Sequence, residues 1–188
     1  MKAWLTMILG CMVLNTPMIY GEDIEEADVE FTGISTQIDE DFDGDGELDQ
    51  IVVADFSDGT RQLHVMTSKG LEYINSDFMM GAMDGGVWGD PLDEISVSDG
   101  VLTIRYFGGS RERWFFNFTF QWQEDDFVLV SYSSGTFDTF DLDAPENTFF
   151  YDVVKGTITN VAGDEVGVLD MPLTIQLEDL KWENLLFI

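Results

Sequence analysis

Between residues 41 and 49 the chain reads Asp41-Phe42-Asp43-Gly44-Asp45-Gly46-Glu47-Leu48-Asp49, the stretch with its clearest chemistry. Carboxylates stand at positions 1, 3, 5 and 9, so alternate residues of a tight loop can aim oxygens at one point. A hard cation such as Ca²⁺ collects about six to eight oxygens and can take the backbone carbonyl of loop position 7, here Glu47. Gly46 at position 6 permits the sharp turn, and Leu48 can anchor the loop. The expected cofactor is Ca²⁺, with Asp41, Asp43, Asp45, Glu47 and Asp49 as its ligands. A solvated acidic turn in an Asp-rich chain is the competing reading.

An EF-hand would need a bidentate Glu at position 12 and a helix on each side. Position 12 is Val52, inside the β-branched apolar run from Leu48 to Phe56, which reads as a strand. The loop therefore feeds a strand, and Asp49 closes the ligand set in place of the missing Glu. This pattern, running into Ile51-Val52-Val53, resembles the calcium loop of FG-GAP and VCBS-type repeats, the hairpin units of integrin α-subunit propellers. The resemblance implies a metal held between two strands, with Asp41, Asp43, Asp45 and Asp49 as side-chain ligands. A propeller announces itself by several copies at a fixed period. Only one good copy is present, since Asp138 to Asp143 is acidic but lacks the glycine and the following Val/Ile run. The loop is expected as a single staple in another β fold.

Of 188 residues, 37 are acidic and 8 basic, for a formal net charge of −29. Hydrophobic residues make up 45%, with 15 Phe and 5 Trp, which excludes a disordered acidic tail and supports one core in one domain. The charge argues against nucleic acid or an anionic membrane surface as partner and in favour of divalent cations. Residues 1–21 read as a secretory signal peptide. Lys2 precedes the apolar stretch Ala3 to Val13, and Tyr20-Gly21 precedes the acidic Glu22-Asp23. The segment is too short to read as a spanning helix, so no membrane span is expected in the mature chain. Ile8-Leu9-Gly10-Cys11 resembles the box before a lipid-modified cysteine, which keeps a bacterial lipoprotein open as the alternative. Either way the expected location is secreted or periplasmic. Cys11 is the only cysteine, so a chain cut after Gly21 has no disulfide and depends on packing and on the metal.

An acidic leader at residues 22–31 precedes a single β-rich domain at 32–188. Strands are expected at Thr32–Ile38, Leu48–Phe56, Gln62–Thr67, Glu94–Ser98, Val101–Phe107, Trp114–Gln123, Phe127–Ser133 and Thr148–Val154, with two more at Gly156–Val161 and Leu173–Leu177. Phe116, Phe118, Phe120 and Trp122 alternate with Asn117, Thr119 and Gln121, which makes this the strongest core strand. Turn signals at Ser98-Asp99-Gly100 and Glu124-Asp125-Asp126 make 94–133 an antiparallel meander. Helical periodicity is confined to Leu177–Leu186, enough for a turn or two. The expected fold is all-β, a single-domain antiparallel meander or sandwich, or a partial propeller-like sheet. Glycine pairs in Gly85-Gly86-Val87-Trp88-Gly89-Asp90-Pro91 and Gly108-Gly109-Ser110-Arg111-Glu112-Arg113-Trp114 predict positive φ or close backbone approach. Together with the single calcium-type loop they resemble a group of uncharacterised secreted bacterial proteins across residues 32–180, a resemblance that implies fold and location more than activity.

Other constellations each have a bland reading. Arg105, Arg111 and Arg113 suggest an anion site, against internal pairing with acids or stacking on Trp114. His64 is the only histidine and lies between apolar neighbours, so it is expected to face outward and not to serve as a catalytic base. Asp90, Asp93 and Glu94 around Pro91 suggest a second cation site, against a solvated turn. Trp88 in its glycine-rich loop is either a sugar or peptide contact or a buried anchor. The expected function is a calcium-binding interaction module, its partner a protein or glycan of the cell envelope. A carboxylate-based glycan hydrolase and a structural subunit of an envelope complex are the alternatives.

Overall fold

The computed structural model describes residues 29–141, 147–169 and 174–185. Among them the chain is all-β, with two 3₁₀ turns and no α-helix. A first antiparallel sheet holds β1 (Phe31–Glu40), β2 (Asp49–Phe56), β3 (Arg61–Met66) and β4 (Glu72–Asn75) in sequence order. A second, seven-stranded sheet continues with β5 (Leu92–Ser98), β6 (Val101–Gly109), β7 (Glu112–Gln123), β8 (Asp126–Asp138), β9 (Asn147–Asp152), β10 (Thr157–Asn160) and β11 (Glu165–Val168). Within each sheet every strand pairs antiparallel with its neighbour in sequence, so each sheet is a meander, and neither closes into a barrel.

Period-2 patterning sorts the residues onto two faces. In β3 Leu63 and Val65 are fully buried while Gln62, His64 and Met66 are partly exposed. In β7 Phe118 and Phe120 are fully buried, with Trp114, Phe116 and Trp122 packed against the core from the same face. These inward side chains of both sheets form one hydrophobic core, which Phe78 joins from the loop after β4 by edge contacts to Phe118 and Phe120. Asn75 fastens the C-terminal segment, its Nδ2 donating to the carbonyls of Leu177 and Leu180, while Trp182 Nε1 donates to the Phe78 carbonyl. Arg61, only 3% exposed, ties the first sheet to the loop before β5 by donating to Asp55 and in a fork to both oxygens of Asp90.

The meander expected over 94–133 is present as β5–β8, and two of its three two-residue turns, those joining β5 to β6 and β7 to β8, carry the positive φ that a right-twisted hairpin demands. Asp99 and Gly100 stand at φ 52° and 71°, and Glu124 and Asp125 at 49° and 71°. Patterning left β4 and β11 unseen, since each has four residues and its neighbours, not its own alternation, define it. At the C-terminal end Gln176 makes only an isolated bridge to Val128, and the expected short turn is the 3₁₀ turn Trp182–Asn184. Residues 1–28, with the expected signal peptide, Cys11 and most of the leader, lie outside the described residues, as do 142–146, 170–173 and 186–188.

Candidate metal centre

The acidic loop connects β1 to β2, and two buried side chains hold it. Phe42, 4% exposed, sets its ring 4.8 Å from Trp122 and 5.0 Å from Phe127, which pins the loop to the second sheet. Leu48, expected as the anchor, is 68% exposed. The reason is register: Asp49 opens β2 facing inward, so its predecessor points away from the core. Asp49, 2% exposed, is the hub. Its Oδ2 accepts from the N–H groups of Phe42 (3.1 Å) and Asp43 (3.3 Å), and its Oδ1 accepts from Ser68 N–H (2.8 Å) across the hairpin.

Asp41 shapes the tip. Its carboxylate accepts from the N–H groups of Gly44, Asp45 and Gly46 at 2.8, 3.0 and 2.9 Å, a fold-back for which Gly44 and Gly46 adopt φ of 78° and 92°. Carboxylate oxygens of Asp41, Asp43 and Asp49 lie within 4.8 Å of one another. Asp45 is outside that set. Its Oδ2 takes the Ser68 hydroxyl at 2.9 Å and lies 3.3 Å from Lys69 Nζ, which is itself 2.7 Å from Asp43 Oδ2. Glu47 is exposed and donates its N–H to Asp45 Oδ1. The Glu47 N–H, then the Ser68 hydroxyl and Lys69 hold the Asp45 carboxyl below its ordinary value, and the Asp43 carboxylate, then Asp45, push the Lys69 ammonium up.

The donor set fits a hard divalent cation: three convergent carboxylates and, among the described residues, no nitrogen or sulfur donor in the cluster. Ser68 and Lys69, from the β3–β4 turn, are the participants that motif spacing could not supply. Their signal lies in the hairpin register, because Gln50 pairs with Met66 and the turn beyond Met66 must therefore lie beside Asp49. Comparisons with family models, with curated proteins and with solved structures return no match.

The other constellations resolve into internal pairs. Arg105 bonds Glu94 (2.9 Å) and approaches Asp93 (3.5 Å), and Arg111 pairs with Asp138. Asp90 serves Arg61, so the acids around Pro91 hold arginines and do not converge on a second cation site. Burial raises the Asp90 carboxyl, but the Arg61 guanidinium and the Leu92 N–H outweigh it and hold the group below its ordinary value. Arg113 stacks 4.6 Å above Trp88, not on Trp114, and donates to the Gly109 carbonyl. Trp88 is 54% exposed, edge-on to Phe107 at 5.1 Å. His64 stands on the outer face of β3 as expected, although its Nε2 is buried without a hydrogen-bond partner among the described residues.

Proposed function

We propose that this chain is an extracytoplasmic calcium-stapled β module whose task is binding rather than catalysis. The observation that carries the reading is the convergence of the Asp41, Asp43 and Asp49 oxygens at the mouth of the β1–β2 connection. Asp41, Asp43 and Asp49 would hold the ion, which supplies positive charge where the loop concentrates carboxylates. The chain's own residues do the rest. Asp49 couples the loop to the β3–β4 turn, Phe42 couples it to the second sheet, and the Lys69 ammonium offsets part of the clustered charge. Among the described residues the one carboxyl held above its ordinary value is Asp126, and it is 3% exposed with Phe127 N–H on its Oδ1, so nothing here favours the hydrolase alternative.

Melting curves with calcium and with chelator test the reading. An affinity typical of extracellular modules gives about 1–3 kcal/mol of stabilisation at about 10 mM Ca²⁺. Asp43→Asn, which keeps the side-chain volume, should abolish the shift. A wild-type melting temperature indifferent to calcium would end the proposal.

A further inference from the structure

The outer face of the seven-stranded sheet carries a second constellation, well away from the acidic loop. In register across four strands stand Arg105, Asn117, Ser133 and Phe150, with Glu94 beyond Arg105. The polar members form a hydrogen-bonded chain: Arg105 donates from Nη1 to Glu94 (2.9 Å) and from Nε to Asn117 Oδ1 (3.2 Å), and Asn117 Nδ2 donates to Ser133 Oγ (3.1 Å). These bonds fix which way each group points before anything arrives. Asn117 also lines two hollows. One, about 360 Å³, runs past Thr119, Ser131 and Ser133 to Phe150, and the other, about 280 Å³, runs past Arg105 to Phe107 and Phe115. A polar centre thus lies between the aromatic rings of Phe107 and Phe150, three strands apart and two residues out of register, about 16 Å at the usual strand spacing and rise.

Three facts narrow what could lie there. The charges around the hollows are already matched, Arg105 by Glu94 and Asp93, and Lys155 by Asp152, so no free charge is left to recognise an ion. The net charge of −29 repels polyanions. Hydroxyls of Ser131, Ser133, Thr157 and Thr159 line the larger hollow, while Phe150 offers it a 46% exposed ring. Hydroxyl and amide groups between apolar ring faces suit an occupant that alternates hydroxyls with C–H faces and carries no charge.

We propose that this face binds a neutral oligosaccharide, lying across β6 to β9 with sugar faces on Phe150 and on Phe107 or Phe115 and hydroxyls on Asn117 and Ser133. The assignment deepens the binding-module reading and rests on it, while the site itself contains no residue of the acidic loop.

Affinity electrophoresis of the full chain tests it, in gels containing a neutral panel (mixed-linkage β-glucan, xyloglucan, galactomannan) or polygalacturonate. At least one neutral polysaccharide should retard the protein. Phe150→Ala and Asn117→Ala should each weaken retardation about tenfold, the scale of losing a central anchor. Ile74→Ala, which removes an equally exposed side chain from the outer face of the other sheet, should change nothing. Melting curves of each variant establish that it folds. Absence of retardation across the neutral panel, retardation by polygalacturonate alone, or equal loss in Ile74→Ala would overturn the assignment. Calcium and chelator arms separate the two readings: retardation with a melting temperature indifferent to calcium keeps the glycan face and removes the staple, and a calcium shift without retardation does the reverse.

Discussion

The two ends of the seven-stranded sheet hold their loops by opposite means. At the end where β6 begins, Gly100 lies against the Phe42 carbonyl, and the neighbouring acidic loop is held by carboxylates accepting backbone N–H groups. At the end where β6 finishes, glycines let backbone and rings approach. Gly109 N–H donates to the Gly85 carbonyl, Gly85 N–H to the Gly89 carbonyl, and the Trp114 ring lies where a Gly108 side chain would be. Polar groups that satisfy one another can also take up a cation, because carboxylate oxygens have lone pairs to spare. Close-packed glycines and rings have no such reserve. The first end can therefore respond to ionic conditions, and the second is set by shape.

Four measurements sharpen or break that contrast. The largest effect is expected at the one buried apolar side chain of the acidic loop. Phe42→Ala empties a site between Trp122 and Phe127 and should cost about 3–5 kcal/mol by denaturant unfolding. A cost below about 1 kcal/mol would mean that hydrogen bonds alone hold this end. Next, Gly108→Ala drives a methyl into the Trp114 ring and should cost about 1–3 kcal/mol. Gly46→Ala meets open space and should cost about 1–2 kcal/mol, from its φ of 92° alone.

The third measurement is acid titration of stability without calcium. Asp45 is held below its ordinary value first by the Glu47 N–H, and Asp138 first by Arg111. For such groups the stabilisation is present above the unfolded value of 3.8 and is lost as pH falls through the lower folded value. Asp126 has the reverse sign: burial raises it, so its contribution is present below 3.8 and is lost as pH rises through the folded value. Melting temperature should therefore fall in acid for the wild type, and Asp126→Asn should gain on it toward neutral pH. A parallel pair of profiles would refute the sign assigned to Asp126. The smallest effect is Arg113→Ala, which removes a cation from the Trp88 face and should cost about 0.5–1 kcal/mol, with no dependence on calcium.

The strands were legible where alternation is strong. Phe116 through Trp122 and the two turns around β6 and β7 could be read directly, because period-2 burial and positive-φ turn residues are local properties. The acidic loop was legible as a spacing of carboxylates. Its anchor was misjudged, since Leu48 is as apolar as Phe42 and only the inward register of Asp49 decides which one meets the core.

Residue order alone determined an acidic all-β chain with one Asp-rich turn feeding a strand, because charge, alternation and turn chemistry act over a few neighbouring positions. Tertiary structure decided the rest. It brought Ser68 and Lys69 to the loop, spent Asp90, Asp93 and Glu94 on arginines, and left Arg113 stacked on Trp88. It also lined up Arg105, Asn117, Ser133 and Phe150, which are 45 residues apart from first to last and meet only through strand register. In a chain with 37 acids, partner choice is a matter of distance, and distance is set by the packing of the two sheets.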